Sequence, residues 1–238
     1  KGDGEVLLYL YEKFGINFIE KIKGMFAICI VDENKNKIFL IRDRFGIKPL
    51  YYHYDSLHKK IYFCSEIKGI KELRNINTGI NNAEAYKFFQ QGLINSNRET
   101  WFKNIFQVSP SHYIEYSQDK IIEKKYYSIE DFIDEKQDEE KISFKKYLNN
   151  FKEKLQTSFQ EHNQFDVKAG IHLSGGVDSA VLAAMSNYNK KKYNSYTFDF
   201  ENKKFSEIEN AKLITSSTNL KNYSSILKEK DLADYLIK

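Results

Sequence analysis

Ile171-His172-Leu173-Ser174-Gly175-Gly176-Val177-Asp178-Ser179 is the stretch on which the fold of this chain turns. The apolar run from Val167 to Leu173 predicts a buried strand that ends abruptly in Ser-Gly-Gly. The residues from Asp178 to Met185 are good helix formers with an apolar face, and they predict the first turns of a helix. Strand, glycine turn and helix N-terminus together make a geometry that holds a phosphate. Glycine lets the backbone approach the anion with no Cβ in the way. The unpaired N–H groups of the first helical turn point at it, and the helix dipole favours its charge.

The stretch has neither the lysine of a G-x-x-x-x-G-K-[ST] loop nor the spacing of G-x-G-x-x-G. Ser174-Gly175-Gly176-x-Asp178-Ser179 resembles the PP-loop of the ATP pyrophosphatase superfamily, whose members cleave ATP between the α and β phosphates. The residue types suit that task. Ser174 and Ser179 offer hydroxyl donors, the loop offers amides, and Asp178 reads as a ligand for Mg²⁺ on the pyrophosphate.

Working outward, Tyr193 to Phe200 predicts a second strand, Ser206 to Ser217 a helix capped by Ser206, and Tyr223 to Leu227 a third strand. Strand, helix, strand, helix implies a parallel, doubly wound α/β sheet whose ligands sit at the C-terminal strand ends. Upstream, a long amphipathic helix is expected from about Ile142 to Phe159. The acidic run from Ser128 to Lys141 is read as a linker.

The preceding part has a different pattern. Asp3 is placed to cap a helix with Val6, Leu7, Leu10 and Phe14 on one face and Gly15 at its end. Met25 to Val31 predicts a strand buried on both faces, with Ile38 to Arg42 returning as its hairpin partner. Strands around Leu50–Tyr52 and Lys60–Cys64, a helix near 82–91, and a final hairpin of Ile105–Tyr116 with Lys120–Tyr127 follow. This predicts an α+β domain of antiparallel sheets and helices over residues 1–128, a linker over 129–141, and the α/β domain over 142–238.

Two further segments carry a second resemblance. Arg42-Asp43-Arg44-Phe45-Gly46-Ile47-Lys48-Pro49-Leu50-Tyr51-Tyr52, followed by Cys64-Ser65-Glu66-Ile67-Lys68, is similar to the glutaminase domain of class II glutamine amidotransferases, and so is Gly24-Met25-Phe26-Ala27. Joined to the PP-loop, the order resembles the glutamine-hydrolysing asparagine synthetases and their amidotransferase relatives. The resemblance implies a partial Ntn-type glutaminase followed by a truncated PP-loop domain. It implies a carbon–nitrogen ligase that uses ATP and Mg²⁺. Glutamine would supply ammonia to an aspartyl-adenylate, giving asparagine, AMP and pyrophosphate. It further implies that Asp3 holds the α-amino group of glutamine. His172, Leu173, Ser174, Gly175, Gly176, Val177, Asp178, Ser179 and Phe198 would line the ATP and pyrophosphate site, Phe198 through its backbone, and Asp178 would hold the metal.

Several expectations qualify this reading. The family's N-terminal nucleophilic cysteine is absent, so no catalytic residue is assigned in this chain. The sequence reads as an internal fragment, inactive alone. His172 stands where an apolar residue is expected, and is read as structural rather than catalytic. Arg42, Asp43 and Lys48 are expected to hold the domain together, as buried guanidinium–carboxylate pairs do. Related readings remain: an amidotransferase acting on another carboxylate or a sugar, or a non-catalytic scaffold.

Composition sets the bounds. The 238 residues are 41% hydrophobic and 15% aromatic, enough for a core, and the net charge is only +4. No basic block interleaved with aromatics suggests nucleic acid, and no apolar run approaches a membrane span. Cys29 and Cys64 fit no metal or disulfide spacing and read as buried, inert thiols of a cytoplasmic protein. The expected partners are small molecules, namely glutamine, aspartate and ATP, with a homodimer left open.

Overall fold

The computed structural model describes residues 2–73, 76–94, 98–133, 143–165, 167–188, 193–218 and 220–228. The chain divides into two compact units, Lys1–Gln137 and Asp138–Lys238.

The first unit opens with helix α1, Asp3–Phe14, closed by Gly15 at φ 58°. Its N-cap is Gly2 rather than Asp3, which is the first helical residue. A 3-10 turn, Gly15–Glu20, buries Phe18 and Ile19. Strand β1, Ala27–Asp32, pairs antiparallel with β2, Lys37–Arg42. β1 packs on both faces as expected, Ile28 and Ile30 with one core cluster and Ala27 and Cys29 with the other, and only towards its end does it open, with Val31 60% exposed.

Strands β3, Tyr51–Asp55, and β4, Lys60–Cys64, form a second hairpin, and α2, Ile67–Lys71, and α3, Asn82–Gln91, follow. β5, Phe106–Gln107, pairs with β3. The last hairpin is therefore shorter than expected: β6, His112–Ser117, with β7, Lys120–Lys125. The sheets run β1-β2-β6-β7 and β4-β3-β5. Phe18, Ile19, Ile30, Phe39, Ile41 and Tyr113 pack on one side of the larger sheet. Leu40, Leu50, Tyr52, Val108 and Ile114 form the second core cluster. The alternation of Phe39, Leu40 and Ile41 between the two clusters is the period of two expected of a strand with apolar residues on both faces.

Part of the expected linker is ordered as a 3-10 turn, Ile129–Phe132, while residues 134–142 lie outside those described.

The second unit begins with α4, Phe144–His162, where Ser143 Oγ accepts the Lys146 amide as a cap. Strand β8 is shorter than the apolar run suggested, Gly170–His172. Helix α5, Val177–Ser186, strand β9, Asn194–Phe200, helix α6, Ile208–Thr218, and strand β10, Lys221–Leu227, complete it. α6 starts two residues beyond Ser206, and the Glu207 carbonyl takes its first helical bond from Ala211. The sheet is parallel, in the order β10-β9-β8. The strands step in one direction, and the reversal of order that marks a doubly wound sheet does not occur among the described residues. Leu173, Ala183 and Ala211 form its core, with Ile214 and Leu220 against them.

β9 inverts the usual pattern. Ser195, Thr197 and Asp199 are buried, while Tyr196, Phe198 and Phe200 are exposed. Ser195 and Thr197 on the buried face bond Asn222 and the Leu173 carbonyl, and the aromatic side chains occupy the opposite face.

Candidate functional site

The site is built where β8 stops. Its last ladder bond runs from the Leu173 amide to the Tyr196 carbonyl, 2.8 Å, and the Thr197 hydroxyl donates to the Leu173 carbonyl, 2.8 Å. Leu173 itself is fully buried, so it anchors the loop as a core residue. Beyond it the backbone turns through Gly175 at φ 78°. A Cβ on Gly175 would lie 2.7 Å from Asn210 Cβ and 3.3 Å from the Glu207 carbonyl oxygen, both in the first turn of α6 or just before it. The glycine is thus required twice, for its left-handed conformation and for its approach to α6.

The two loop serines hold this turn from within. Ser179 Oγ donates to the Gly176 carbonyl at 3.0 Å and accepts the Ser174 amide at 3.3 Å. With the single Ser179 hydroxyl proton so used, the 3.2 Å Ser174–Ser179 contact has Ser174 as donor. Ser174 Oγ in turn accepts the Gly176 amide at 3.4 Å. The hydroxyls were expected to serve a ligand; here they first fix the loop's own shape.

α5 starts directly from this turn, with Gly176 as N-cap and no side-chain cap. Its first helical bond is Ala180 N–H to Gly176 C=O, 3.0 Å, which leaves the amides of Val177, Asp178 and Ser179 without a helical partner. Asp178 is exposed on this turn and Val177 is 79% exposed, so the helix N-terminus is open to an anion.

Phe198 lies at the same end of the sheet, 63% exposed, with its ring 5.5 Å from the exposed His172 ring. Tyr196 turns its carbonyl to β8, and parallel alternation directs the Phe198 backbone the same way, past the end of the β8 ladder. The structure therefore gathers His172, Leu173, Ser174 to Ser179 and Phe198 at the C-terminal ends of β8 and β9. Among the described residues, no three His, Cys, Asp or Glu side chains converge as a metal cluster. Asp178 offers a carboxylate at the helix start, and a hard cation there would draw its other ligands from phosphate and water.

Asp3 belongs to the first unit, and its side chain lies outside the described residues. In that unit Arg42 and Asp43 do not pair with each other. The Arg42 guanidinium donates to the carbonyls of Lys48, Gly46 and Val108 and to Gln107 Oε1. Asp43, 1% exposed, accepts the amides of Phe45 and Ile47 on Oδ1 and those of Lys48 and Phe26 on Oδ2. The segment is a loop scaffold made of side-chain-to-backbone bonds, with Arg42 to Gln107 the one side-chain pair among them, and each charge is satisfied mainly by peptide groups rather than by its neighbour.

Cys29 and Cys64 are half-buried, and burial pushes the Cys29 thiol up. Sequence reasoning missed Asn210 and Glu207, which back the loop, and Asp199, a buried carboxylate at the end of β9. The signal for Asp199 was available: it shares a period of two with Ser195 and Thr197, so it faces inward if they do.

Comparison with known proteins bears on both units. Residues 1–127 match the model of the glutamine amidotransferase domain, and residues 150–238 match that of asparagine synthase. The glutamine-hydrolysing asparagine synthetase 2 of Bacillus subtilis is 36% identical over 82% of this chain and 26% of its own length. The putative glutamine-hydrolysing asparagine synthetase 2 of Methanocaldococcus jannaschii is 32% identical over 99% of this chain and 45% of its own. An amidase of Gibberella zeae, chry2, is 27% identical over 78% of this chain and 26% of its own. The chain thus spans between a quarter and a half of the length of these relatives. It belongs to the glutamine amidotransferase family, in the arrangement where the amidotransferase domain is followed by an asparagine synthase segment.

Proposed function

We propose that the protein takes part in ATP-dependent, glutamine-hydrolysing asparagine synthesis, with residues 174–179 holding the pyrophosphate of ATP. The observation that carries the reading is the open N-terminus of α5 behind a self-bonded glycine turn. The Val177, Asp178 and Ser179 amides would take phosphate oxygens, and the α5 dipole would stabilise the charge that develops on departing pyrophosphate. Leu173 fixes the strand end, and Gly175 lets the loop pass under the anion without a side chain. Asp178 would hold Mg²⁺, which when bound neutralises phosphate charge.

The unpaired backbone edge of Phe198 would receive the adenine, with His172 beside it as a packing partner rather than an acid or base. In the amidotransferase domain Asp3 would hold the α-amino group of glutamine, and the Arg42–Asp43 scaffold would keep that unit in shape. Released ammonia would displace AMP from an aspartyl-adenylate, whose formation turns a poor carboxylate leaving group into a good one. The proposed domain limits are 1–128 and 142–238.

The amidase among the relatives favours a second reading, in which the same machinery amidates a different acceptor. The test uses the complete gene product with ATP, Mg²⁺, glutamine and aspartate. Aspartate-dependent pyrophosphate release with asparagine detected by mass supports the synthetase reading, and Asp178→Ala should abolish it. Pyrophosphate only with another acceptor selects the second reading. No pyrophosphate with any acceptor overturns both.

A further inference from the structure

On the helix-facing side of β9 every polar side chain but one is accounted for. Ser195 Oγ donates to Asn222 Oδ1 at 3.0 Å, and Thr197 Oγ1 donates to the Leu173 carbonyl. Asp199, next on that face, is 5% exposed, and its Oδ1 is sequestered without a hydrogen-bond partner. Among the described residues nothing donates to that oxygen, and no ion pair of Asp199 is found. Its place is specific. Asp199 is the penultimate residue of β9, two past Thr197, whose hydroxyl bonds the Leu173 carbonyl just before the loop begins.

An ionised carboxylate withdrawn from water needs a counter-charge or a donor. A nucleotide in the loop would bring more negative charge to the same end of the sheet, which sharpens the need. A hard divalent cation ligated by both a carboxylate oxygen and phosphate oxygens answers both demands. We propose that Asp199 is a cation ligand of the nucleotide site, binding the divalent ion that accompanies the phosphates from the β9 side while Asp178 approaches from α5. The proposal rests on the phosphate-loop reading. It assigns the buried carboxylate a role that the loop motif does not contain.

The test is calorimetric and needs no turnover. The complete gene product is titrated with α,β-methylene-ATP, once with Mg²⁺ and once with a chelator, as wild type and as Asp199→Asn. The wild type should show the larger gain in affinity from Mg²⁺, and Asp199→Asn should reduce that gain at least tenfold. Without cation, Asp199→Asn should bind the analogue more tightly than wild type, because a repulsive charge is gone. An equal Mg²⁺ gain in both proteins overturns the cation role while leaving the phosphate loop intact. Failure of the wild type to bind the analogue under either condition overturns the loop reading and this proposal with it. Asp199→Ser serves as the second variant, and a cooperative melting transition with the far-ultraviolet dichroism of the wild type certifies each fold.

Discussion

Replacing Gly175 by alanine tests the loop at its tightest point. Two costs can be worked out. The residue sits at φ 78°, where a Cβ costs an L-residue roughly 1–2 kcal/mol. The new Cβ would stand 2.7 Å from Asn210 Cβ, short of the ~3.5–4.0 Å optimum between carbon atoms by about 1 Å. Asn210 Cβ is attached to the helix backbone, so α6 must shift, and overpacking of that kind costs about 1–3 kcal/mol. Together roughly 2–5 kcal/mol is expected, a large share of the ~5–15 kcal/mol that holds a domain.

Urea denaturation followed by far-ultraviolet dichroism measures the loss, and amide exchange over 208–218 should show the first turn of α6 opening. A paired substitution separates the two costs. Asn210→Ala keeps its Cβ and should give no relief. Asn210→Gly removes it and should recover about 1 kcal/mol or more as a coupling energy, while the backbone cost remains. A Gly175→Ala protein with unchanged stability, or equal rescue by Asn210→Ala, would refute the reasoning.

Ser179→Ala removes the hydroxyl that accepts the Ser174 amide and bonds the Gly176 carbonyl; it should cost about 1–2 kcal/mol and weaken pyrophosphate binding, measured by calorimetry. Arg42→Lys cannot reproduce four bonds from one planar fork and should cost roughly 2–4 kcal/mol, read from the fluorescence of Trp101, the single tryptophan, during urea unfolding. Bonds from Lys37 and then Lys124 hold the Glu115 carboxyl below the usual carboxylate range. A group whose folded value is depressed adds stability at neutral pH that is lost as pH falls through that range, so Glu115→Gln should flatten the acid limb of stability against pH. Burial raises the Cys29 thiol, so in a Cys64→Ala protein Cys29 should react with a disulfide reagent more slowly at pH 8 than a free thiol, and equal rates would contradict its burial.

Much of the second unit was legible because its signals are local. A strand, a glycine pair and a helix follow one another without a gap, and loop bonds between Ser174, Gly176 and Ser179 span at most five residues. The element ends were less legible. The apolar run from Val167 suggested a longer β8, but pairing with β9 covers only three residues, and propensity cannot report the length of a partner. Residues 106–107 looked continuous with β6, yet the chain spends them on β3. Ser206 resembles a helix cap in one dimension, but a 3-10 turn ending there pushes the start of α6 to Ile208.

The Arg42–Asp43 segment shows why residue chemistry alone misassigns partners. Adjacent opposite charges in a dense motif suggest an ion pair, yet their side chains leave an extended strand on opposite faces. Each then finds what lies on its own side. Asp43 faces its own turn, whose amides at Phe45, Ile47 and Lys48 converge on one carboxylate, while Arg42 spans from that turn to Val108 and Gln107. The same geometric rule decides β9, where alternation sends Phe198 to the open face and Asp199 under the helices. Two neighbours in sequence thus meet different surroundings: Phe198 stands 63% exposed on the open face, and Asp199 keeps a buried carboxylate oxygen without a hydrogen-bond partner among the described residues. That division follows from strand geometry, but which face is open depends on where α6 lands. The packing of Asn210 and Glu207 against Gly175 fixes that landing, and no local sequence pattern announces it.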